Sequence, residues 1–212
     1  MASKGAYRTG GFGGVNGLAD YLREEAIDFI VDATHPFAAT ISENAHLAAE
    51  NCAIPIIHLW RDAWQAKQDD MWLEVESLTK AAEAIEANQS PVFLTTGRQT
   101  LKHFTHRTDI EFLARTIDEG PGESDPLPDN FTLIHAKGPF TLSDEIAIMQ
   151  SHGIKLLISK NSGGAAARAK LDAARELGLP VMMIERPNLP QGTIASTPEE
   201  GLLWLNAQLE PA

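Results

Sequence analysis

The chain reads as an α/β protein, two Rossmann-like domains with largely parallel sheets, and three observations lead there. Short apolar runs alternate with helical segments of about a dozen residues. Turns rich in Gly, Thr, Ser and Asn follow several of the apolar runs and precede helical ones, as at residues 32–37, 95–99 and 160–164. The 212 residues are 43% hydrophobic and 22% charged, which is ordinary globular usage and enough for one large domain or two small ones.

Strands are expected at 28–33, 55–60, 91–95, 110–115, 131–135, 155–159 and 180–184, and helices at 17–25, 38–51, 78–88, 141–152, 164–177 and 198–209. The second helix carries Ile41, Ala45, Ala48 and Ala49 on one face. The fifth puts Leu171, Ala174 and Leu177 at a spacing of three. Residues 62–70 are polar and residues 119–130 are dense in Gly, Pro and acids, so both read as loops. A domain boundary is expected near residue 89, giving domains 1–89 and 90–212. Residues 1–9 are too polar for the opening strand of a doubly wound domain, so the first domain is expected to be incomplete at its N-terminus.

With 17 basic against 29 acidic residues the formal charge is −12, which disfavours general nucleic-acid binding but leaves room for a local anion pocket. The single cysteine, Cys52, excludes an internal disulfide and a thiolate zinc site and fits a reducing cytoplasm. No apolar run approaches the ~18 residues of a membrane helix.

Four turns carry the candidate chemistry. Gly10-Gly11-Phe12-Gly13-Gly14 can bring backbone N–H groups to a phosphate before a helix, although Asn16 stands where a dinucleotide fingerprint needs its third glycine. Asp32-Ala33-Thr34-His35-Pro36 lies between a strand and a helix, where α/β ligands bind, and His35 exchanges protons near neutrality. Thr95-Thr96-Gly97-Arg98 places a cation at a helix start, which an anion would offset. Lys160-Asn161-Ser162-Gly163-Gly164 forms an anion nest beside a lysine. The plain alternative for each is a capped turn feeding a helix. The seven histidines show no metal-ligand spacing with acidic or sulfur partners, so no metal is expected. Trp60, Trp64 and Trp72 flank the loop at 62–70 as core caps or as a platform for a planar ligand.

In order, Arg8-Thr-Gly-Gly-Phe-Gly-Gly, Asp32-Ala-Thr-His-Pro-Phe-Ala-Ala, Gly97-Arg98-Gln99, Lys137-Gly-Pro-Phe, Lys160-Asn-Ser-Gly-Gly, Ala169-Lys-Leu, Leu179-Pro-Val and Glu185-Arg-Pro resemble the precorrin-6A reductase family of cobalamin biosynthesis, from about Arg8 to Leu205. The resemblance implies two Rossmann-like domains, with room for strands to be exchanged between them, and reduction of a ring double bond in precorrin-6A by NADPH to give precorrin-6B. A related branch acts on cobalt-precorrin-6A and uses NADH. Members of the family open with a hydrophobic strand and a Gly-Gly-Thr-x-Glu-Ala turn upstream of the GGFGG segment, which this sequence lacks. An inactive form that only binds the macrocycle is therefore an alternative, as is an NAD(P)-dependent reductase unrelated to corrins.

A macrocycle bearing carboxylates needs cations, so Arg61, Arg115, Lys137 and Arg186, with Phe140, are the expected substrate contacts. His35 is the expected proton donor and Lys160 the second candidate. Gly11, Gly13, Thr34, Thr96, Gly97, Arg98, Ser162, Gly163 and Gly164 are expected to hold the cofactor. Partners are expected to be the tetrapyrrole and, as candidates, other enzymes of the pathway; neither nucleic acid nor membrane is expected.

Overall fold

A computed structural model describes residues 6–117, 126–188 and 190–209; the expected loop residues 119–125 fall outside them. The chain divides into two compact units, Met1–Arg61 with Pro187–Ala212, and Asp62–Arg186. The expected boundary near residue 89 is thus displaced. Chain order alone favoured one cut, but strand pairing carries residues 62–89 into the second unit and returns the C-terminal segment to the first.

Unit one holds α1 (Gly14–Glu24), β1 (Ile30–Asp32), α2 (Ala39–Cys52), β2 (Ile56–Leu59), and, after the return, β9 (Thr193–Ala195) and α6 (Pro198–Leu209). Its three strands are parallel in the order β1-β2-β9. The face of α1 formed by Val15, Leu18, Ala19 and Leu22 repeats at helical spacing and packs on Ala48 of α2. Small residues at Ala45, Ala48 and Ala49 let α2 come close to its neighbours. Cys52 sits in this cluster and donates to the Ala19 carbonyl at 3.4 Å, as filler.

Unit two carries β3 (Trp72–Val75), α3 (Leu78–Ala84), β4 (Val92–Leu94), β5 (Phe112–Thr116), β6 (Phe131–His135), α4 (Leu142–Ser151), β7 (Leu156–Lys160), α5 (Ala169–Glu176) and β8 (Val181–Ile184). The six strands are parallel in the order β3-β8-β7-β4-β5-β6. Strands β4, β7 and β8 are buried along nearly their whole length, as a parallel sheet covered on both faces requires, and so read as unbroken apolar runs. The core centres on Phe93, Leu113, Met149, Leu157, Leu171 and Met183. Trp64 belongs to it, 6% exposed, which decides between its two expected roles in favour of core.

From β4 the chain builds outward through β5 and β6, then crosses back so that β7 lies on the other side of β4. The reversal makes the carboxyl ends of β4 and β7 a topological switch point, the position at which open α/β sheets bind ligands in a crevice. Among the described residues no helix is long and apolar enough to cross a membrane.

Candidate functional site

In unit one the chain ahead of α1 is the glycine loop. A Cβ on Gly17 would collide with the Phe12 carbonyl, so the loop folds back on the first turn of the helix only because that position is bare. The start of α1 has no side-chain cap and no acid in its first turn, leaving its N–H groups and positive end open to an anion. The loop, α1, β1 and the start of α2 enclose a groove of about 710 Å³, to which Gly11, Gly13, Asp32 and Thr34 contribute. That size suits a small-molecule site.

At the end of β1 the turn is tightly fastened. Asp32 Oδ1 accepts from the Thr34 backbone N–H at 3.0 Å, and the Thr34 and Ser42 hydroxyls lie 3.1 Å apart. From β2, His58 reaches Asp32 Oδ2 at 2.8 Å. Burial alone would raise the Asp32 carboxyl, but hydrogen bonds from His58, Ser42 and Thr34 outweigh it and hold the group well below the usual carboxylate range. His35, the next residue, is exposed; its Nδ1 accepts from the Phe37 N–H at 3.2 Å and its ring lies 5.8 Å from that of Phe37.

In unit two the switch point collects two of the expected turns. Thr95 donates its backbone N–H and hydroxyl to the Ile158 carbonyl, at 3.1 and 3.0 Å, and so ties the end of β4 to β7. Thr96 is buried and its hydroxyl accepts from Thr100 at 2.8 Å; Gly97 and Arg98 follow, with Arg98 half-buried. After β7, Asn161 is locked to Trp64 by two hydrogen bonds of 2.8 and 3.0 Å, and the Trp64 indole donates to the Gly164 carbonyl at 2.8 Å. Arg186 donates to the carbonyls of Asn161 at 2.6 Å and Asp62 at 3.1 Å. Gly163 has φ +67°, and a Cβ there would collide with the Asp62 carbonyl and the Arg186 guanidinium. Glycine is therefore required at 163 by close approach as much as by conformation. Burial lowers the Lys160 ammonium from its ordinary value, and burial, then Lys102 and Lys160, lower that of His103.

The cations separate by environment. Arg61 and Lys137 are exposed, and Arg186 is spent on the loop. Arg115 is turned inward: its side chain is 8% exposed, pairs with Glu145 at 2.9 Å, and lies 3.9 Å from the Phe140 ring centroid. Arg115 and Phe140 thus meet each other in this structure. Beside them Lys170, on α5, is almost wholly buried, with its ammonium 5.6 Å from the Trp64 ring centroid. Burial, then the Arg115 charge, bring its pKa down to about 8 against the opposing pull of Glu145. Sequence reasoning passed over His58 and Glu145, and met Lys170 only inside the Ala169-Lys-Leu motif, with no role assigned to it. For His58 the only signal was one polar residue within an apolar strand; for Glu145, none.

Parallel sheets with open turns at the carboxyl ends of their strands define a Rossmann-like α/β protein. Comparison with known proteins narrows this. The family model described as "Precorrin-6x reductase CbiJ/CobK" matches residues 1–206. A precorrin-6A reductase of Rhodococcus erythropolis is 46% identical over 189 residues, covering 89% of this chain and 75% of the relative. A cobalt-precorrin-6A reductase of Priestia megaterium is 34% identical over 192 residues, covering 86% of this chain and 74% of the relative. A solved structure described as "CobK precorrin-6A reductase" superposes with a TM-score of 0.89 at 41% identity, covering 95% of this chain and 82% of that one. The chain belongs to the precorrin-6x reductase family and is an oxidoreductase.

Proposed function

We propose that this chain reduces a ring double bond of precorrin-6A in cobalamin biosynthesis, giving precorrin-6B, with NADPH as the reductant. The observation that carries the reading is the pairing of family membership with an uncapped glycine loop at the start of α1, opening on a groove whose lining is largely apolar. Such a groove suits a dinucleotide, with N–H groups for phosphate and apolar walls for a ring. The metal-free substrate is preferred because the Rhodococcus relative, at 46%, is nearer than the cobalt-precorrin enzyme, at 34%.

Gly11, Gly13 and Thr34 would hold the cofactor in unit one, and Ser162, Gly163 and Gly164, with Thr96, Gly97 and Arg98, an anionic group at the switch point of unit two. When bound, NADPH supplies the hydride. The chain's own part is to orient the reactants, to neutralise carboxylates, and to hold a proton for the carbon next to the hydride acceptor. His35 is the proposed donor, being an exposed imidazole on a fastened turn; Lys160, its ammonium made more acidic by burial, is the second candidate. Arg61 and Lys137 are the proposed carboxylate partners, with Arg186 shaping the loop; Arg115, expected as a further contact, is instead buried against Glu145 and Phe140.

Titration with NADPH, followed by the fluorescence of the four tryptophans, is expected to saturate in the micromolar range. A folded chain that shows no binding would remove the cofactor assignment. Replacing the exposed imidazole in His35→Ala is expected to lower turnover of precorrin-6A by about 10²-fold while the melting temperature stays near that of the parent. Unchanged turnover would take His35 out of the mechanism.

A further inference from the structure

The turn that presents Thr34 and His35 is not held by its own residues alone. In the parallel pairing of β1 with β2, Asp32 lies opposite His58. Their side chains are 5% and 1% exposed, and Nδ1 of His58 stands 2.8 Å from Asp32 Oδ2. The other Asp32 oxygen takes the Thr34 backbone N–H at 3.0 Å. One carboxylate therefore joins a neighbouring strand to the backbone of the turn. A carboxylate cannot donate when ionised, and Asp32 is kept ionised by this very set of donors, so the bond requires a proton on Nδ1 of His58.

The second ring nitrogen, Nε2, is buried and has no hydrogen-bond partner among the described residues. The ring of His46 is 6.2 Å away between centroids, and His46 uses its own Nε2 toward Glu50 at 3.4 Å. All the hydrogen bonding by which the fold holds the His58 ring thus passes through Nδ1. At 1% exposure His58 cannot touch a substrate or cofactor, so it does not act as an acid or base itself.

We propose that His58 is a positioning residue. By donating from Nδ1 to Asp32 it fixes that carboxylate, and through it the Thr34 backbone, and so sets the turn that offers Thr34 and His35 to the ligands. The function of the turn rests on the reading given above; the positioning itself does not.

Two amides separate this role from mere filling of space. In His58→Asn the side-chain N–H₂ falls near the place of Nδ1; in His58→Gln it falls near that of Nε2, although glutamine is closer to histidine in volume. Hydrogen exchange at the Thr34 amide and NADPH affinity are read for both variants. His58→Asn is expected to stay within about threefold of the parent in both measures, and His58→Gln to lose about tenfold in each. Equal behaviour of the two variants at the Thr34 amide, or better retention by His58→Gln, overturns the proposal. In the parent itself, nitrogen NMR of His58 is expected to show the proton on Nδ1. A neutral ring carrying it on Nε2 overturns the proposal whether or not the variants fold. If the parent fails to bind NADPH while the Thr34 amide still distinguishes the two amides, the cofactor reading falls and the positioning stands. If the parent binds and the amide does not distinguish them, the reverse holds.

Discussion

Glu145→Ala is expected to destabilise unit two by about 3–5 kcal/mol, among the largest effects of any single substitution in the chain. Glu145 is the counter-charge of a buried pair whose side chains are 2% and 8% exposed, with Arg115 at 2.9 Å. Its removal leaves the Arg115 guanidinium without its anion, and the nearby Lys170 loses the charge that favours its protonated form. Two cations then share a low-dielectric interior with no counter-charge shown opposite them among the described residues. The Phe140 and Phe93 rings, 3.9 and 5.2 Å from the guanidinium, soften the loss but carry no net charge. Chemical denaturation at pH 7 checks this. A change below about 1 kcal/mol would mean that the pair contributes no more than an exposed one.

Lys170→Met is expected to act in the opposite direction at neutral pH, stabilising the fold by up to about 3 kcal/mol. The buried amine has a pKa of about 8, below the ordinary value of 10.5. Below pH 8 it is charged in both folded and unfolded chains, and the folded state carries the full cost of desolvating it. Between pH 8 and 10.5 the unfolded chain holds more protons than the folded one, so the stability of the parent rises with pH. The advantage of methionine should therefore be greatest at pH 7 and fade across that window, which denaturation at several pH values would reveal. A gap that is constant with pH would mean that packing, and not charge, distinguishes the two side chains. Because Lys170 and Glu145 interact, Glu145→Ala should cost less in the Lys170→Met background than alone. Simple additivity would separate the two groups.

These effects belong to residues that sequence reading could not single out, and the reason is physical. Elements set by local pattern were legible. The seven expected strands all form, because runs such as Val92-Phe93-Leu94 and Leu156-Leu157-Ile158 are wholly buried in a parallel sheet. Helix α6 spans its expected 198–209, opened by a proline in its first turn. What failed depends on partners distant in sequence. Strand β3, Trp-Leu-Glu-Val at a sheet edge, and β9, three residues long, carry too little pattern of their own and exist through pairing with β8 and β2. Helix α5 starts at Ala169 and not at residue 164, since Gly163 and Gly164 have positive φ and shape a turn first. Of the site, the turns at strand ends were visible as small polar residues after apolar runs. The fastening of those turns by His58, Trp64 and Arg186, and the pairing of Arg115 with Glu145, were invisible because each joins residues far apart in the chain.

The return of the C-terminal segment to unit one has a consequence for synthesis. All six strands of unit two lie within residues 62–186, so its sheet needs nothing from the C-terminal segment. The sheet of unit one needs β9. Until β9 clears the ribosome, one edge of β2 has open N–H and C=O groups, and the helix that packs on β2 is missing as well. A chain released after residue 186 would therefore carry every strand of unit two but leave a bare strand edge in unit one, the feature by which partly made chains pair with one another and precipitate.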